Sequence, residues 1–231
     1  EVTNYYGYNP KTKEVFIQTT QQGSINKVVS KVNIDSGKTT LISNSTGTNS
    51  ANFSQNYNYF IETSSSVSKP YTYVLKDGNG KTVKELQNND EQLKKLHQDN
   101  MVTKEFMTIP NEAGDQMNAW VMKPKDFDPN KEYPLFMFQY SGPGSQQVTN
   151  SWDQGNGLWF NHLVQKGYIV ACVDGRGTGY KGTEYKKATY LNLGKLEIDD
   201  QIAAAKWFGK QSYINKDRIG IFGWSYGGYM A

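Results

Sequence analysis

The sequence has few of the residues that build metal centres and disulfides. Its 231 residues include one cysteine, Cys172, and two histidines, His97 and His162. A single cysteine excludes an internal disulfide and a cysteine metal cluster, and its position in the apolar run 169–173 is typical of a small buried side chain. No metal constellation and no phosphate-cradling glycine loop is visible, so the sequence predicts neither a metal nor a cofactor.

The sequence also has a small net charge and no long hydrophobic run. The net charge is +3, the lysines are spread along the chain, and Arg176 and Arg218 are the only arginines. Without a basic cluster a nucleic-acid surface is not expected, and without a run of about 18 apolar residues neither is a membrane-spanning segment. The sequence begins at Glu1 without an initiator methionine or a signal peptide, and we expect it to be a piece that begins inside a longer protein.

Short aromatic and β-branched segments are abundant. With 36% hydrophobic and 13% aromatic residues, the chain suits one or two globular domains. Seven segments before residue 89 are separated by turn residues, which predicts strands at 4–8, 14–19, 26–33, 39–43, 57–63, 71–76 and 81–86. Such strands fit a sandwich, a barrel or propeller blades. Seven strands make fewer than two four-stranded blades, and a closed propeller needs at least about four blades.

Strands and helices alternate in the second half of the sequence. Segments 103–109 and 116–123 predict a hairpin, and the apolar runs 134–140 and 168–173 predict strands buried on both faces of a parallel sheet. Helices are predicted at 89–97, 158–165 and 197–208, the last with Ile198, Ile202 and Ala205 at helical spacing. This is the pattern of a doubly wound α/β domain, in which we interpret both histidines as ordinary helix residues.

One motif in the sequence predicts a catalytic residue. Residues 223–227, Gly-Trp-Ser-Tyr-Gly, match G-x-S-x-G, the nucleophile elbow of α/β hydrolases. The apolar run 218–222 predicts a strand before the motif, and a helix start follows it. A serine on such a turn has a strained backbone, so the residues two before and two after it must lack bulk, as Gly223 and Gly227 do. We therefore predict that Ser225 is a nucleophile, and that the oxyanion formed when it attacks a carbonyl meets N–H groups of the following helix.

Three segments together resemble the dipeptidyl peptidase IV family of prolyl oligopeptidase-like serine peptidases. They are 223–229 (Gly-Trp-Ser-Tyr-Gly-Gly-Tyr), 139–147 (Gln-Tyr-Ser-Gly-Pro-Gly-Ser-Gln-Gln) and 173–182 (Val-Asp-Gly-Arg-Gly-Thr-Gly-Tyr-Lys-Gly). The resemblance implies a mixed fold. Residues 1–99 would be an all-β N-terminal part, the last blades of a β-propeller. Residues 100–231 would be the N-terminal half of an α/β-hydrolase peptidase domain, truncated after the nucleophile elbow.

The resemblance also implies an activity. Family members are serine exopeptidases that release N-terminal Xaa-Pro or Xaa-Ala dipeptides from peptides with a free N-terminus, here through an acyl-enzyme on Ser225. Tyr226 would donate its backbone N–H to the oxyanion hole and Tyr140 its phenol hydroxyl. Trp224 is expected to pack beside the elbow and shape the pocket. Because family members act mostly at cell surfaces or in the periplasm, we expect a periplasmic, cell-surface or secreted parent, and we consider a homodimer.

The sequence departs from the family pattern in what it does not contain. The triad order in α/β hydrolases is Ser, Asp, His, but only five residues follow Tyr226 and both histidines precede Ser225. Asp174 and Arg176 lie in a loop that is structural in the family. We therefore expect the triad acid and base beyond Ala231, and we expect this chain alone to be nearly or wholly inactive.

Two alternatives stay open. A prolyl endopeptidase or acylaminoacyl peptidase would accept substrates with blocked N-termini. A non-catalytic interaction module on a hydrolase fold would lack Asp and His in the expected order after Ala231. A lipase-like esterase is less favoured, because Tyr140-Ser-Gly-Pro stands where such enzymes have an HGGG-type oxyanion loop.

Overall fold

The computed structural model describes residues 1–152 and 155–231, which form two compact units. The first unit contains Glu1–Asp99 and Thr149–Trp152. The second contains Asn100–Val148 and the described residues from 155 onward. None of the described helices is long and apolar enough to cross a membrane.

The first unit consists of two four-stranded antiparallel sheets, followed by helix α1 (Asp90–Gln98). Each strand pairs with the next along the chain, because turn residues fold the chain back between them. The sheets contain β1 (Val2–Asn9), β2 (Glu14–Thr19), β3 (Val28–Asn33) and β4 (Thr39–Leu41), then β5 (Thr48–Phe53), β6 (Tyr59–Ser66), β7 (Lys69–Asp77) and β8 (Thr82–Gln87). The predicted total of seven strands was wrong. Strand β5 was missed because Thr-Asn-Ser-Ala-Asn-Phe has a single large apolar residue and no apolar period of two.

Aromatic rings fill the core of the first unit. Phe16 and Phe60 are buried, and the ring of Tyr57 stacks on Phe16 with centroids 4.9 Å apart. Gly7 makes room for the phenol of Tyr57, since a Cβ at residue 7 would lie 1.8 Å from the Tyr57 hydroxyl oxygen. These contacts explain the many aromatic residues in an otherwise polar sequence.

A buried ion pair stabilises the second sheet of this unit. Lys76 Nζ on β7 lies 2.7 Å from Glu62 Oε2 on β6, and both side chains are buried. Glu62 Oε1 also accepts the backbone N–H of Asn44 at 2.7 Å. The carboxylate therefore has partners on both oxygens, which a buried charge requires.

A four-residue segment from the middle of the chain, Thr149–Trp152, completes the first unit. The backbone N–H of Asn150 donates to Ile25 O at 2.8 Å, and its side-chain Nδ2 donates to Asn26 Oδ1 at 2.9 Å. Asn150 Oδ1 accepts the backbone N–H of Val67 at 3.2 Å. No pattern in the sequence predicts that this segment packs with the sheets.

The second unit contains one five-stranded sheet with the order β13-β11-β12-β10-β9. Its strands are β9 (Glu105–Pro110), β10 (Gln116–Met122), β11 (Tyr133–Phe138), β12 (Ile169–Asp174) and β13 (Ile214–Phe222). Strand β11 is parallel to β12 and β13, whereas β9 and β10 form the predicted antiparallel hairpin. Every residue of β12 is buried, Cys172 included, as the continuous apolar run predicts.

Four helices accompany this sheet: α2 (Gly157–Gln165), α3 (Thr183–Lys187), α4 (Lys195–Phe208) and α5 (Tyr226–Tyr229). The short helix α3 was not predicted, because five polar and aromatic residues show no apolar period. Helix α4 was predicted, but its apolar spacing does not mark the buried face. Ile198 and Ile202 are 41% and 46% exposed. The buried residues of α4 are Glu197, Asp200, Gln201, Ala203, Ala204 and Phe208.

Candidate active site

The G-x-S-x-G motif forms the strand–turn–helix that the sequence predicts. Strand β13 ends at Phe222, and α5 begins at Tyr226 directly after Ser225. Ser225 has φ 55° and ψ −119°, a conformation that residues with a side chain rarely adopt. Ser225 is exposed at this turn, as a nucleophile elbow requires.

Two glycines make this turn sterically possible. A Cβ at residue 223 would lie 2.3 Å from the carbonyl oxygen of Gly227 and 2.7 Å from that of Gln139. A Cβ at residue 227 would lie 2.5 Å from the carbonyl oxygen of Gln139. Both positions face backbone atoms, so only glycine fits. Trp224 is 79% exposed within the described residues. Its role in shaping a pocket beside the elbow stays a prediction.

Tyr140 lies beside the elbow at the end of β11. The preceding residue, Gln139, is buried and donates its backbone N–H to Phe222 O at 3.0 Å and its side-chain Nε2 to Gly227 O at 2.5 Å. These two bonds attach the start of the Tyr140 loop to the strand and the helix of the elbow. The ring of Tyr140 is 6.4 Å from that of Tyr226 between centroids. Within the described chain, the Tyr140 hydroxyl has no hydrogen-bond partner.

Tyr226 is held through its side chain. Its hydroxyl donates to Glu197 Oε1 on α4 at 2.8 Å, and Glu197 Oε2 accepts the backbone N–H of Gly194 at 3.0 Å. Burial raises the pKa of Tyr226 to about 12, and the bond to Glu197 acts in the same direction, so the phenol stays neutral. Among the residues that the structure covers, the backbone N–H of Tyr226 has no acceptor and is available to a bound group.

Asp174 and Arg176 bind partners inside the protein. Asp174 Oδ2 accepts the backbone N–H groups of Gln147 and Val148 at 2.9 and 2.8 Å. Burial raises the pKa of Asp174 to about 7, although those hydrogen bonds lower it. Arg176 Nη2 lies 2.7 Å from the buried Asp200 Oδ1. Both side chains hold loops at the carboxyl ends of strands, as expected for a structural loop.

His162 does not join the elbow in the described part of the chain. His162 lies on α2, where its ring stacks on Trp159 with centroids 5.9 Å apart. The side chain of His97 lies outside the described residues. Among the residues with described positions, no group of three or more His, Cys, Asp and Glu side chains could hold a metal ion.

Sequence reasoning missed three buried side chains next to the candidate nucleophile: Gln139, Glu197 and Gln201. Gln139 directly precedes Tyr140, and the segment 193–201, which contains Glu197 and Gln201, also resembles the dipeptidyl peptidase IV family. Glu197 and Gln201 contact the elbow and the Tyr140 loop across 29 and 60 residues of sequence, so local periodicity cannot reveal them.

Comparisons with known proteins agree with this architecture. Residues 1–71 match the model of the dipeptidyl peptidase IV N-terminal region, and residues 158–231 match that of the prolyl oligopeptidase family. Two sheets of propeller type and a partial hydrolase sheet thus define a chain of the prolyl oligopeptidase class of serine peptidases. The two family matches confirm the mixed fold predicted from the sequence, an all-β part followed by part of an α/β-hydrolase domain.

Comparisons with individual proteins identify the family within this class of serine peptidases. Dipeptidyl peptidase 4 of Trichophyton equinum is 34% identical over 238 residues, and that of Trichophyton rubrum is 33% identical over the same length. Both alignments cover 100% of this chain and 30% of the relative. The crystal structure of Porphyromonas gingivalis dipeptidyl peptidase 4 superposes with a TM-score of 0.93 at 42% identity, covering 100% of this chain and 32% of the other. The chain belongs to the dipeptidyl peptidase IV family, and it spans about a third of the length of these relatives.

Proposed function

We propose that this chain supplies the nucleophile and the oxyanion hole of a serine exopeptidase that releases N-terminal Xaa-Pro or Xaa-Ala dipeptides. The observation that carries the proposal is the strained backbone of Ser225 at φ 55°, with Tyr226 directly after it and Tyr140 beside Tyr226. Among the described residues, the Tyr140 hydroxyl and the Tyr226 backbone N–H have no hydrogen-bond partner. Relatives named dipeptidyl peptidase 4 support the substrate class. Residues 1–99 would be the terminal blades of the propeller, and residues 100–231 part of the peptidase domain.

The reaction would begin with attack by Ser225 Oγ on the carbonyl carbon of the second substrate residue. The proton of Oγ passes to a general base, and the carbonyl oxygen becomes an oxyanion. When the peptide C–N bond breaks, the leaving amine takes up that proton and the dipeptide remains on Oγ as an ester, which water then hydrolyses. We assign the base and its acid partner to no residue of these 231.

The oxyanion would be bound by the backbone N–H of Tyr226 and the hydroxyl of Tyr140. Both donors are neutral and are held by a buried framework, so they need not reorganise as charge develops. Removing one such donor from a serine peptidase lowers kcat by roughly 100- to 1000-fold. Tyr140→Phe should therefore reduce kcat by that factor while leaving the fold intact.

Properties of the complete enzyme follow from the family alone. We propose peptide substrates with a free N-terminus, a periplasmic, cell-surface or secreted location, and a homodimer. Prolyl endopeptidase or acylaminoacyl peptidase activity is the alternative within the same fold. A non-catalytic interaction module is the alternative from another class.

The decisive experiment compares Gly-Pro-p-nitroanilide with its N-acetylated form, using the natural protein that carries these residues. Release of nitroaniline from the free amine only, abolished by Ser225→Ala, would support the proposal. Ser50→Ala, at an exposed serine on β5, is the matched control and should retain full turnover. Equal cleavage of both anilides would favour the endopeptidase or acylpeptidase alternative, and cleavage of neither would favour the interaction module. The isolated 231-residue polypeptide should show no turnover.

A further inference from the structure

Helix α4 buries polar side chains in its first half, beside the apolar Ala203, Ala204 and Phe208 of its second half. The side chains of Glu197 and Gln201 are four residues apart, so they lie one above the other on one face of the helix. They are only 1% and 4% exposed. Burying such groups is unfavourable unless hydrogen bonds replace the lost water. The identity of their partners therefore indicates what this face does.

Both side chains bind the segments that carry the proposed oxyanion donors. Glu197 Oε1 accepts the hydroxyl of Tyr226 at 2.8 Å. Gln201 Nε2 donates to Ser141 Oγ at 3.2 Å and to the backbone oxygen of Val173 at 2.9 Å. Each donor segment is thus attached to the same rigid helix.

Ser141 shows why the second contact matters. It directly follows Tyr140 and has φ 59°, a left-handed conformation that is strained for a residue other than glycine. Such a conformation persists only where neighbouring groups hold it, and Ser141 is buried against Gln201. Since the direction of the chain at residue 141 sets the direction of the preceding residue, the contact also orients Tyr140.

We propose that Glu197 and Gln201 are positioning residues that fix the separation of the two oxyanion donors. One turn of helix, about 5.4 Å, separates the two anchor points. The spacing of Tyr140 and Tyr226 is therefore set by a helix rather than by loops. This inference rests on the proposed function, because it concerns how the same oxyanion hole is built.

The test is a double-mutant cycle in the natural protein that carries these residues. Gln201→Leu is made alone and together with Tyr140→Phe, and kcat is expressed per active site titrated with a fluorophosphonate. A misplaced donor lowers kcat rather than raising KM, so Gln201→Leu should lose about 10- to 100-fold in kcat with KM changed less than about threefold. In the Tyr140→Phe background, the further loss should be less than about threefold, because the donor that Gln201 positions is gone.

Matched variants separate positioning from general stability. Gln211→Leu removes a similar bond, from Nε2 to Trp207 O at 3.0 Å, and should leave kcat unchanged. Ser141→Ala removes the hydroxyl that Gln201 binds and should reproduce part of the loss even if Gln201→Leu folds poorly. Glu197→Gln tests the other anchor and should lower kcat by about 10-fold.

The outcomes distinguish this inference from the proposed function. If Ser225→Ala abolishes turnover but Gln201→Leu leaves kcat per titrated site unchanged, the inference is wrong and the function stands. Equal losses from Gln201→Leu in both backgrounds would also overturn it, because independent effects multiply. Absence of turnover in the unmodified protein would overturn both.

Discussion

Replacing Ser225 by glycine should give a more stable protein than replacing it by alanine. Both variants lack the nucleophile, so they differ only by the Cβ at a backbone with φ 55° and ψ −119°. A residue with a side chain in such a sparsely populated region stores roughly 1–3 kcal/mol of strain, and glycine stores none. Glycine loses about 0.5–1 kcal/mol through the greater freedom of the unfolded chain. The net advantage of glycine should be about 1 kcal/mol.

Thermal unfolding followed by tryptophan fluorescence measures this difference. For a cooperative unit of roughly 150–250 residues, 1 kcal/mol corresponds to about 2–4 °C in Tm. The control is the same pair of substitutions at Ser50, which lies on β5 and outside the positive-φ region. At Ser50, glycine should be the less stable variant by about 0.5–1 kcal/mol.

The sign of the Tm difference between the glycine and alanine variants shows whether the backbone at Ser225 is strained. If glycine lowers Tm relative to alanine at Ser225 as it does at Ser50, the elbow stores no strain, and the argument that ties its geometry to catalysis fails. A positive difference at Ser225 alone would show that the exposed hydroxyl is maintained at a measurable expense of stability, as is common at active sites.

Three further predictions concern pH, the elbow glycine and the buried ion pair. Because the folded-state pKa of Asp174, about 7, lies above its ordinary value of 3.8, the native state binds more protons than the unfolded state between these values. The free energy of unfolding, measured in urea, should therefore fall by up to about 4 kcal/mol from pH 4 to 7. Asp174→Asn should make this fall smaller. Parallel pH profiles for the two proteins would contradict the raised pKa of Asp174. Gly227→Ala places a Cβ 2.5 Å from Gln139 O and should lower kcat on the anilide about 100-fold, so an unchanged kcat would refute the steric argument. Lys76→Met should destabilise the protein by about 3–5 kcal/mol in thermal unfolding by leaving the Glu62 carboxylate unpaired. Adding Glu62→Leu should restore most of that stability. If the double variant is as unstable as Lys76→Met alone, the unpaired Glu62 carboxylate is not the cause of the loss.

Local chemistry made the elbow predictable. Glycines at 223 and 227 and the apolar run before them determine the strand, the turn and the helix start within about a dozen residues. The parallel strands were equally clear, because β11 and β12 are continuous apolar runs. In such segments the neighbouring residues alone determine the backbone conformation.

Tertiary contacts decided the features that sequence reasoning missed. The isoleucines of α4 are spaced like a core-facing stripe, yet the helix buries Glu197 and Gln201 beside its core residues. These two side chains bond to Tyr226 and Ser141. Strand β5 likewise has few apolar residues and is stabilised by pairing with β6. Partners that are distant in sequence leave no periodic trace, so the framework behind the candidate site could be found only from the structure.

Asn150 has a practical consequence for anyone dividing this chain. A cut after Asp99, which looks natural from the sequence, would leave the two sheets without the hydrogen bonds that Asn150 makes to Ile25, Asn26 and Val67. Those groups would then need water or new partners, and the piece would be less stable than its sheet content suggests. A faithful version of the first unit needs residues 149–152 supplied by a linker or as a separate peptide. The order of residues along the chain is therefore a poor guide to where this protein can be separated.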